Sequence, residues 1–100
     1  MPVSEKIELV EGFIEFHAVA GFADIHHVEV FSEFQRQGNG TKLMTLFLAE
    51  MERRDITEVT LEVRVDNVSA IGLYEKFGFE QVSIRKGYYK GIDGILMKRS

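Results

Sequence analysis

The stretch Gln35-Arg36-Gln37-Gly38-Asn39-Gly40 constrains this chain more than any other. A run that alternates polar and apolar residues, ending Val28-Glu29-Val30-Phe31, leads into it, and a long amphipathic segment from Thr41 onward leads out. Two glycines therefore sit where a strand gives way to a helix. Glycine permits positive φ and removes the Cβ that would keep a ligand from the backbone. The first N–H groups of a helix lack partners within it, and the helix dipole favours negative charge there, so such a junction can hold a phosphate. The same spacing also suits an ordinary turn. It lacks the third glycine of the dinucleotide fingerprint, and Thr41-Lys42 reverses the order a Walker loop requires.

A length of 100 residues predicts one domain, residues 1–100, and a 45% hydrophobic content with eight Phe is enough for a core. No apolar run approaches the roughly 18 residues of a membrane span. The N-terminus shows no charged-then-apolar leader pattern. The expectation is a soluble, cytoplasmic protein with no membrane partner. The absence of Cys excludes disulfides, cysteine nucleophiles and thiolate metal sites. A net charge of −4 without a basic cluster argues against a nucleic-acid partner and leans towards a neutral or basic substrate.

In order along the chain, Ile7 to Val10 reads as a short strand. Phe13 to Val19 alternates, with Phe13, Glu15 and His17 opposed to Ile14, Phe16 and Ala18. After Ala20-Gly21, the run Ala23 to Phe31 opposes Ile25, His27, Glu29 and Phe31 to His26, Val28 and Val30. Short turns between these strands predict an antiparallel meander. Thr41 to Arg54 is the strongest helix, with an apolar stripe of Leu43, Leu46, Phe47 and Met51. Glu58 to Val65 is a β-branched strand with Val59, Leu61, Val63 and Val65 on one face. Asp66-Asn67 offers caps for a second helix, Val68 to Phe77, whose core face is Ala70, Ile71, Tyr74 and Phe77, and Gly78 suits its end. Phe79 to Ile84 and Gly94 to Lys98 are the last strands, with a Gly- and Tyr-containing loop between them. The fold class is α/β (α+β): a mixed sheet with helices packed on it, a meander followed by β-α-β-α-β-β. His26 and His27, adjacent on a strand, should point to opposite faces, and His17 stands alone, so no metal site is expected.

Three separated motifs in this order resemble the GNAT N-acetyltransferases. The family's acyl-CoA loop, Gln/Arg-x-x-Gly-x-Gly/Ala, is matched by Gln35, Gly38 and Gly40. The stretches Leu61-Glu62-Val63-Arg64-Val65-Asp66-Asn67, Ala70 to Phe79 and Arg85-Lys86-Gly87-Tyr88-Tyr89 look like the RimI type, which acetylates the N-terminal alanine of a small-subunit ribosomal protein. The resemblance runs from about Gly12 onward. It implies acetyl-CoA as donor, an amine acceptor such as a ribosomal-protein N-terminus, and direct transfer in a ternary complex without a metal. It implies that the backbone of Val28, Glu29 and Val30 pairs with the pantetheine arm. It implies that Arg36, Gln37, Gly38, Asn39, Gly40 and Thr41 offer N–H groups to the pyrophosphate, and that Asn67 contacts the CoA arm. Glu62 matches the family's general base and Tyr74 its general acid.

Simpler readings stand beside these. Glu62 shares its strand face with Thr60 and Arg64, where a Glu–Arg pair at alternate positions would suffice. Tyr74 could be a core tyrosine, Asn67 an N-cap, and Tyr88 and Tyr89 either a substrate entrance or a cover for the sheet end. Two alternatives to the peptide enzyme remain open: a GNAT enzyme for a small-molecule amine, and a non-catalytic acyl-CoA-binding module. The chain departs from the family pattern in beginning at the meander, without the usual preceding strand and two helices. An exposed first strand and uncovered sheet face then predict a homodimer or higher oligomer. Thr41 stands where Arg or Lys is common, so that one phosphate contact is either absent or taken over by Lys42.

Overall fold

The computed structural model describes residues 4–100. Three strands form a meander: β1 (Glu5–Leu9), β2 (Gly12–Val19) and β3 (Phe22–Val30). The turn at Ala20-Gly21 holds both residues at positive φ, 40° and 86°, the hairpin geometry whose twist matches that of the strands. A 3₁₀ turn, Ser32–Phe34, leads to α1 (Asn39–Arg53), β4 (Glu58–Arg64), α2 (Val68–Lys76) and a terminal hairpin of β5 (Glu80–Tyr89) and β6 (Ile92–Arg99). The sheet order is β1-β2-β3-β4-β6-β5, with β3 and β4 parallel. The crossovers β3-α1-β4 and β4-α2-β5 step the same way across the sheet, and right-handed crossovers then place both helices on one face.

The core fills the space between that face and the helices. Ile14, Phe16, Phe47, Met51, Leu61, Phe79 and Met97 are each at most 2% exposed. Phe16 meets Phe47 edge-on at 5.1 Å between centroids. The helical stripe differs from the expected one at one position. Leu43, Met44, Phe47 and Met51 are buried, whereas Leu46 is 42% exposed. The helix lies across β1, β2 and β3, and this bearing turns Met44 inward in place of Leu46. Val65, expected to continue the strand face of Val59, Leu61 and Val63, is 44% exposed because β4 ends at Arg64. The expected Gly-Tyr loop is instead strand up to Tyr89, with Gly87 taken up in an irregularity of register between Arg85 and Tyr89.

The largest correction concerns β3. The register runs Glu15↔His27 and then Phe16↔Ile25, so His26 is an extra residue in a β-bulge. The strict alternation that predicted opposite faces for His26 and His27 fails there. Both imidazoles lie on the face away from the helices, His26 near the His17 ring at 6.4 Å and His27 near Phe13 at 5.4 Å. They take separate carboxylates, His26 pairing with Asp24 at 3.4 Å and His27 with Glu29 at 3.0 Å. Val28 and Val30 thereby join the core side, packing against the buried cluster. No helix among the described residues is long and apolar enough to cross a membrane.

A surface network ties the end of α1 to the first strand. Arg54 donates two hydrogen bonds to Glu5, both at 2.9 Å, and one to Glu50 at 2.8 Å. Arg53 and Arg54 together hold the Glu50 carboxyl down from an ordinary 4.5 to about 2. A carboxyl depressed by folding contributes stability above its unfolded pKa and loses it as pH falls through the folded one. Arg54→Met should therefore unfold at lower urea than the parent at neutral pH. The gap should narrow between pH 4.5 and about 2, read as urea midpoints across that range. A gap independent of pH would mean that the Arg54 chain contributes by packing rather than by charge.

Candidate active site

The site exists because the parallel pairing of β3 and β4 stops early. Its register covers Phe22↔Glu58 to Ile25↔Leu61 and no further, although β3 continues to Val30 and β4 to Arg64. The bulge at His26 falls where the pairing ends, and a bulge bends its strand. Between the diverging strands lies a cleft of about 370 Å³, walled by Val28 on one side and by Glu62, Val63, Asn67, Tyr74 and Tyr89 on the other.

On the β3 wall, Phe31 donates its N–H to Glu11 O across the meander at 2.9 Å. Successive residues of a strand turn their N–H and C=O to opposite edges. Val30 and Val28 therefore present theirs to the cleft, and Glu29 turns back towards β2. The Val30 carbonyl accepts the Gln35 side-chain amide at 2.9 Å. The Glu29 side chain lies on the helix-free face, paired with His27.

The loop after β3 is held from behind by its own amides. Gln37 Nε2 donates to Glu33 O at 3.1 Å and Asn39 Nδ2 to Phe34 O at 2.8 Å. Arg36 and Gly38 take left-handed conformations, φ 61° and 79°. Gly38 is the N-cap of α1 and has no side chain to occupy the helix end. The first helical bond reaches back from Lys42 N to Gly38 O at 3.1 Å, so the N–H groups of Asn39, Gly40 and Thr41 stand before it as free donors. Gly40 has a packing reason as well, since a Cβ there would meet Leu73 of α2 at 3.2 Å. Lys42 pairs with Glu11 at 3.6 Å.

The opposite wall carries the titratable groups. Asn67 caps α2, its Oδ1 accepting Ala70 N at 3.3 Å, and it also lines the cleft. Tyr74 is 7% exposed and its ring lies 5.9 Å from Phe79. Burial, with a smaller contribution from Tyr89, pushes its phenol up to about 12, so it keeps its proton at neutral pH. Glu62 does not pair with Arg64, which instead grips Asp66 at 2.8 and 3.0 Å. Its partner is Arg85 on the edge strand β5, with Nε 2.9 Å from Oε2. Their contact is Coulombic rather than an aligned hydrogen bond, because Oε2 is inaccessible to water and has no hydrogen-bond partner of good angle.

Glu62 and Tyr89 also line a second hollow, of about 480 Å³, on the helix-free face together with Asp24, His26, Arg85 and Tyr88. They stand on the boundary between the two hollows. The structure thus brings Val28, Glu62, Asn67 and Tyr74 to one cleft, sets residues 36–41 at the start of α1, and leaves the Glu29 side chain outside. Arg85 was visible in sequence only as part of a motif. Its contact with Glu62 crosses an intervening strand and depends on register. On that strand a Cβ at Gly94 would come within 2.9 Å of the Tyr89 ring and 3.7 Å of Glu62 Cγ.

Residues 6–79 match the sequence model of the acetyltransferase (GNAT) family. The chain belongs to that family. It is 40% identical over 72 residues to the [ribosomal protein bS18]-alanine N-acetyltransferase of Escherichia coli (strain K12), covering 72% of this chain and 49% of that one. It is 42% identical over 74 residues to an N-alpha-acetyltransferase of Saccharolobus solfataricus, covering 72% and 44%. The crystal structure of the ribosomal-protein-S18-alanine N-acetyltransferase from E. coli matches with a TM-score of 0.85 at 35% identity, over 89% of this chain and 60% of that one. The NatC complex bound to Gag peptide and CoA matches with a TM-score of 0.80 at 25% identity, over 89% and 60%. The chain spans about half the length of the curated relatives it matches.

Gly94→Ala should push the Tyr89 ring out of the cleft and cost about 1–3 kcal/mol in urea unfolding, as overpacking does. The ring's nuclear Overhauser contacts to residue 94 and to Glu62 should be lost. Unchanged contacts would mean that β6 shifts instead of the ring.

Proposed function

We propose that this chain is the cofactor-binding and catalytic portion of an acetyl-CoA-dependent N-acetyltransferase that acts on a peptide or protein N-terminal amine, as its ribosomal-protein-alanine relatives are named for doing. The observation that carries the reading is the pair of strand edges left facing each other beyond Ile25↔Leu61, followed along the chain by the donor-rich start of α1, whose Gly40 packs against Leu73 of α2. The thioester of acetyl-CoA supplies an activated acetyl group. The N–H and C=O of Val28 and the N–H of Val30 are the strand contacts for an extended pantetheine. Val30 C=O, already bonded to Gln35, takes no part. Arg36, Gln37, Gly38, Asn39, Gly40 and Thr41 receive the pyrophosphate through backbone N–H groups, and Asn67 flanks the arm from the start of α2.

Glu62 takes the proton from the incoming amine, directly or through a water. Tyr74, protonated and buried, gives a proton or a hydrogen bond to the departing thiolate. Each such group contributes typically ~10²–10⁴ in rate, and holding both substrates in one complex removes an entropic cost. A ribosomal-protein substrate would place the reaction in the cytoplasm, and neither nucleic acid nor metal has a part in it.

Calorimetric titration with acetyl-CoA, followed by an Ala-Arg-starting peptide, tests this. Binding and then heat from transfer are expected. Glu62→Gln and Tyr74→Phe should each lower kcat by about 10²-fold while retaining acetyl-CoA binding. No acetyl-CoA binding would remove the reading. Binding without transfer to the peptide but with transfer to a small amine would move it to a small-molecule enzyme, and binding with no transfer at all to a cofactor-binding module. Among the described residues one sheet face carries no helix and β1 stands at the end of the strand order, which supports self-association as well. Light scattering at micromolar concentration should give at least twice the monomer mass, and a monomeric mass would overturn that part.

A further inference from the structure

The Glu62–Arg85 contact has no place in the transfer chemistry just described, yet it engages the carboxylate on which that chemistry rests. Arg85 stands opposite Gly94 on β6, and Glu62 lies on the far side of β6, opposite Leu96. The guanidinium reaches across the intervening strand β6 to the Glu62 carboxylate. Three further contacts fix its position. The Tyr88 ring lies 4.8 Å from Arg85 Cζ. The Gly87 N–H donates to Asp93 Oδ1 at 2.9 Å, pinning the hairpin segment that carries both residues. The Tyr89 ring fills the space over Gly94. On Glu62 the cation takes Oε2, the oxygen closed to water.

We infer that Arg85 is a positioning residue for the transfer reaction, holding Glu62 by Oε2 so that Oε1 is the oxygen offered to the amine or its bridging water. The inference rests on the proposed role of Glu62 as base. A carboxylate on a strand facing two hollows can rotate towards either. A guanidinium on one oxygen removes that freedom beside the site of proton transfer. It also sets the position of the base relative to the Tyr89 ring, on the boundary where donor and acceptor must meet. Because Arg85 approaches from the helix-free face, it restrains the carboxylate without entering the cleft wall formed by Val28, Val63 and Tyr74.

The test combines a spectrum with a double-mutant cycle. The Nε–H resonance of Arg85 should shift in Glu62→Gln without acetyl-CoA present, and an unchanged resonance would overturn the inference whatever the activity. In kinetics, Arg85→Ala should lower kcat by about tenfold or more with acetyl-CoA affinity unchanged and the amine KM within about twofold. Arg85→Lys should recover a substantial part of that loss, which a purely structural role would not predict. Arg85→Ala added to Glu62→Gln should cost nothing further, since the two act as one unit. Additive losses, or a loss confined to KM, would overturn it by making Arg85 a substrate contact. Should Arg85→Ala fail to fold, Arg85→Lys and Arg85→Gln decide, the inference requiring that Lys retain more turnover than Gln. If Glu62→Gln keeps full kcat, the base assignment itself fails. If it loses kcat while Arg85→Ala does not, the inference about Arg85 fails alone.

Discussion

Everything at this site depends on where the hydrogen bonding between β3 and β4 stops. A parallel pair satisfies the facing backbone groups of both strands for as long as it lasts, and those groups need partners beyond it. Here it lasts from Phe22↔Glu58 to Ile25↔Leu61. Past that point β3 remains supported by β2 and β4 by β6, so both strands stay extended while their facing edges lie apart. The result is a cleft with rigid walls and backbone donors and acceptors on its inner side. An extended ligand can add itself to such an edge as a strand would.

The bulge at His26 and the start of α1 convert this gap into a directed site. The bulge bends β3 and changes which residues face the core, turning Val28 and Val30 inward and both histidines outward. The loop then leads from the end of β3 into α1, and three side-chain amides fasten it to backbone carbonyls. The helix that follows begins with a glycine cap, so its first N–H groups are not consumed by a capping side chain. Positive potential from a helix end and unsatisfied donors thus follow directly on the strand that walls the groove. The arrangement suits a ligand with an extended arm and an anionic head, the shape of acyl-CoA.

Much of this was legible in the sequence where the signal is local. The meander, both helices and the Gly78 terminator follow from alternation, helical spacing and turn chemistry, and each is present within a few residues. The motif around Gly38 and Gly40 located the loop, and the pattern from Leu61 to Phe79 located Glu62, Asn67 and Tyr74. The misses share one cause. Strict alternation cannot anticipate an inserted residue, so the faces of His26 and His27 were misread. Helical spacing gives a stripe but not its bearing on the sheet, so Leu46 and Met44 exchange places. The pairing of Glu62 with Arg64, two positions away, was the natural local guess. The partner found is Arg85, reached across a third strand.

The sequence by itself determined the order and kind of elements, the family to which the chain belongs, and the residues that could hold an anion or move a proton. Those properties reside in short-range patterns of size, polarity and backbone freedom. Only the tertiary structure decided that β3 and β4 part after Ile25 and Leu61, that Val30 C=O is taken by Gln35, and that Glu62 is gripped by the guanidinium of Arg85 from beyond β6. Each of these is a matter of register between strands distant in the chain. Register is set by the collective packing of one sheet against two helices, not by any residue and its neighbours in sequence.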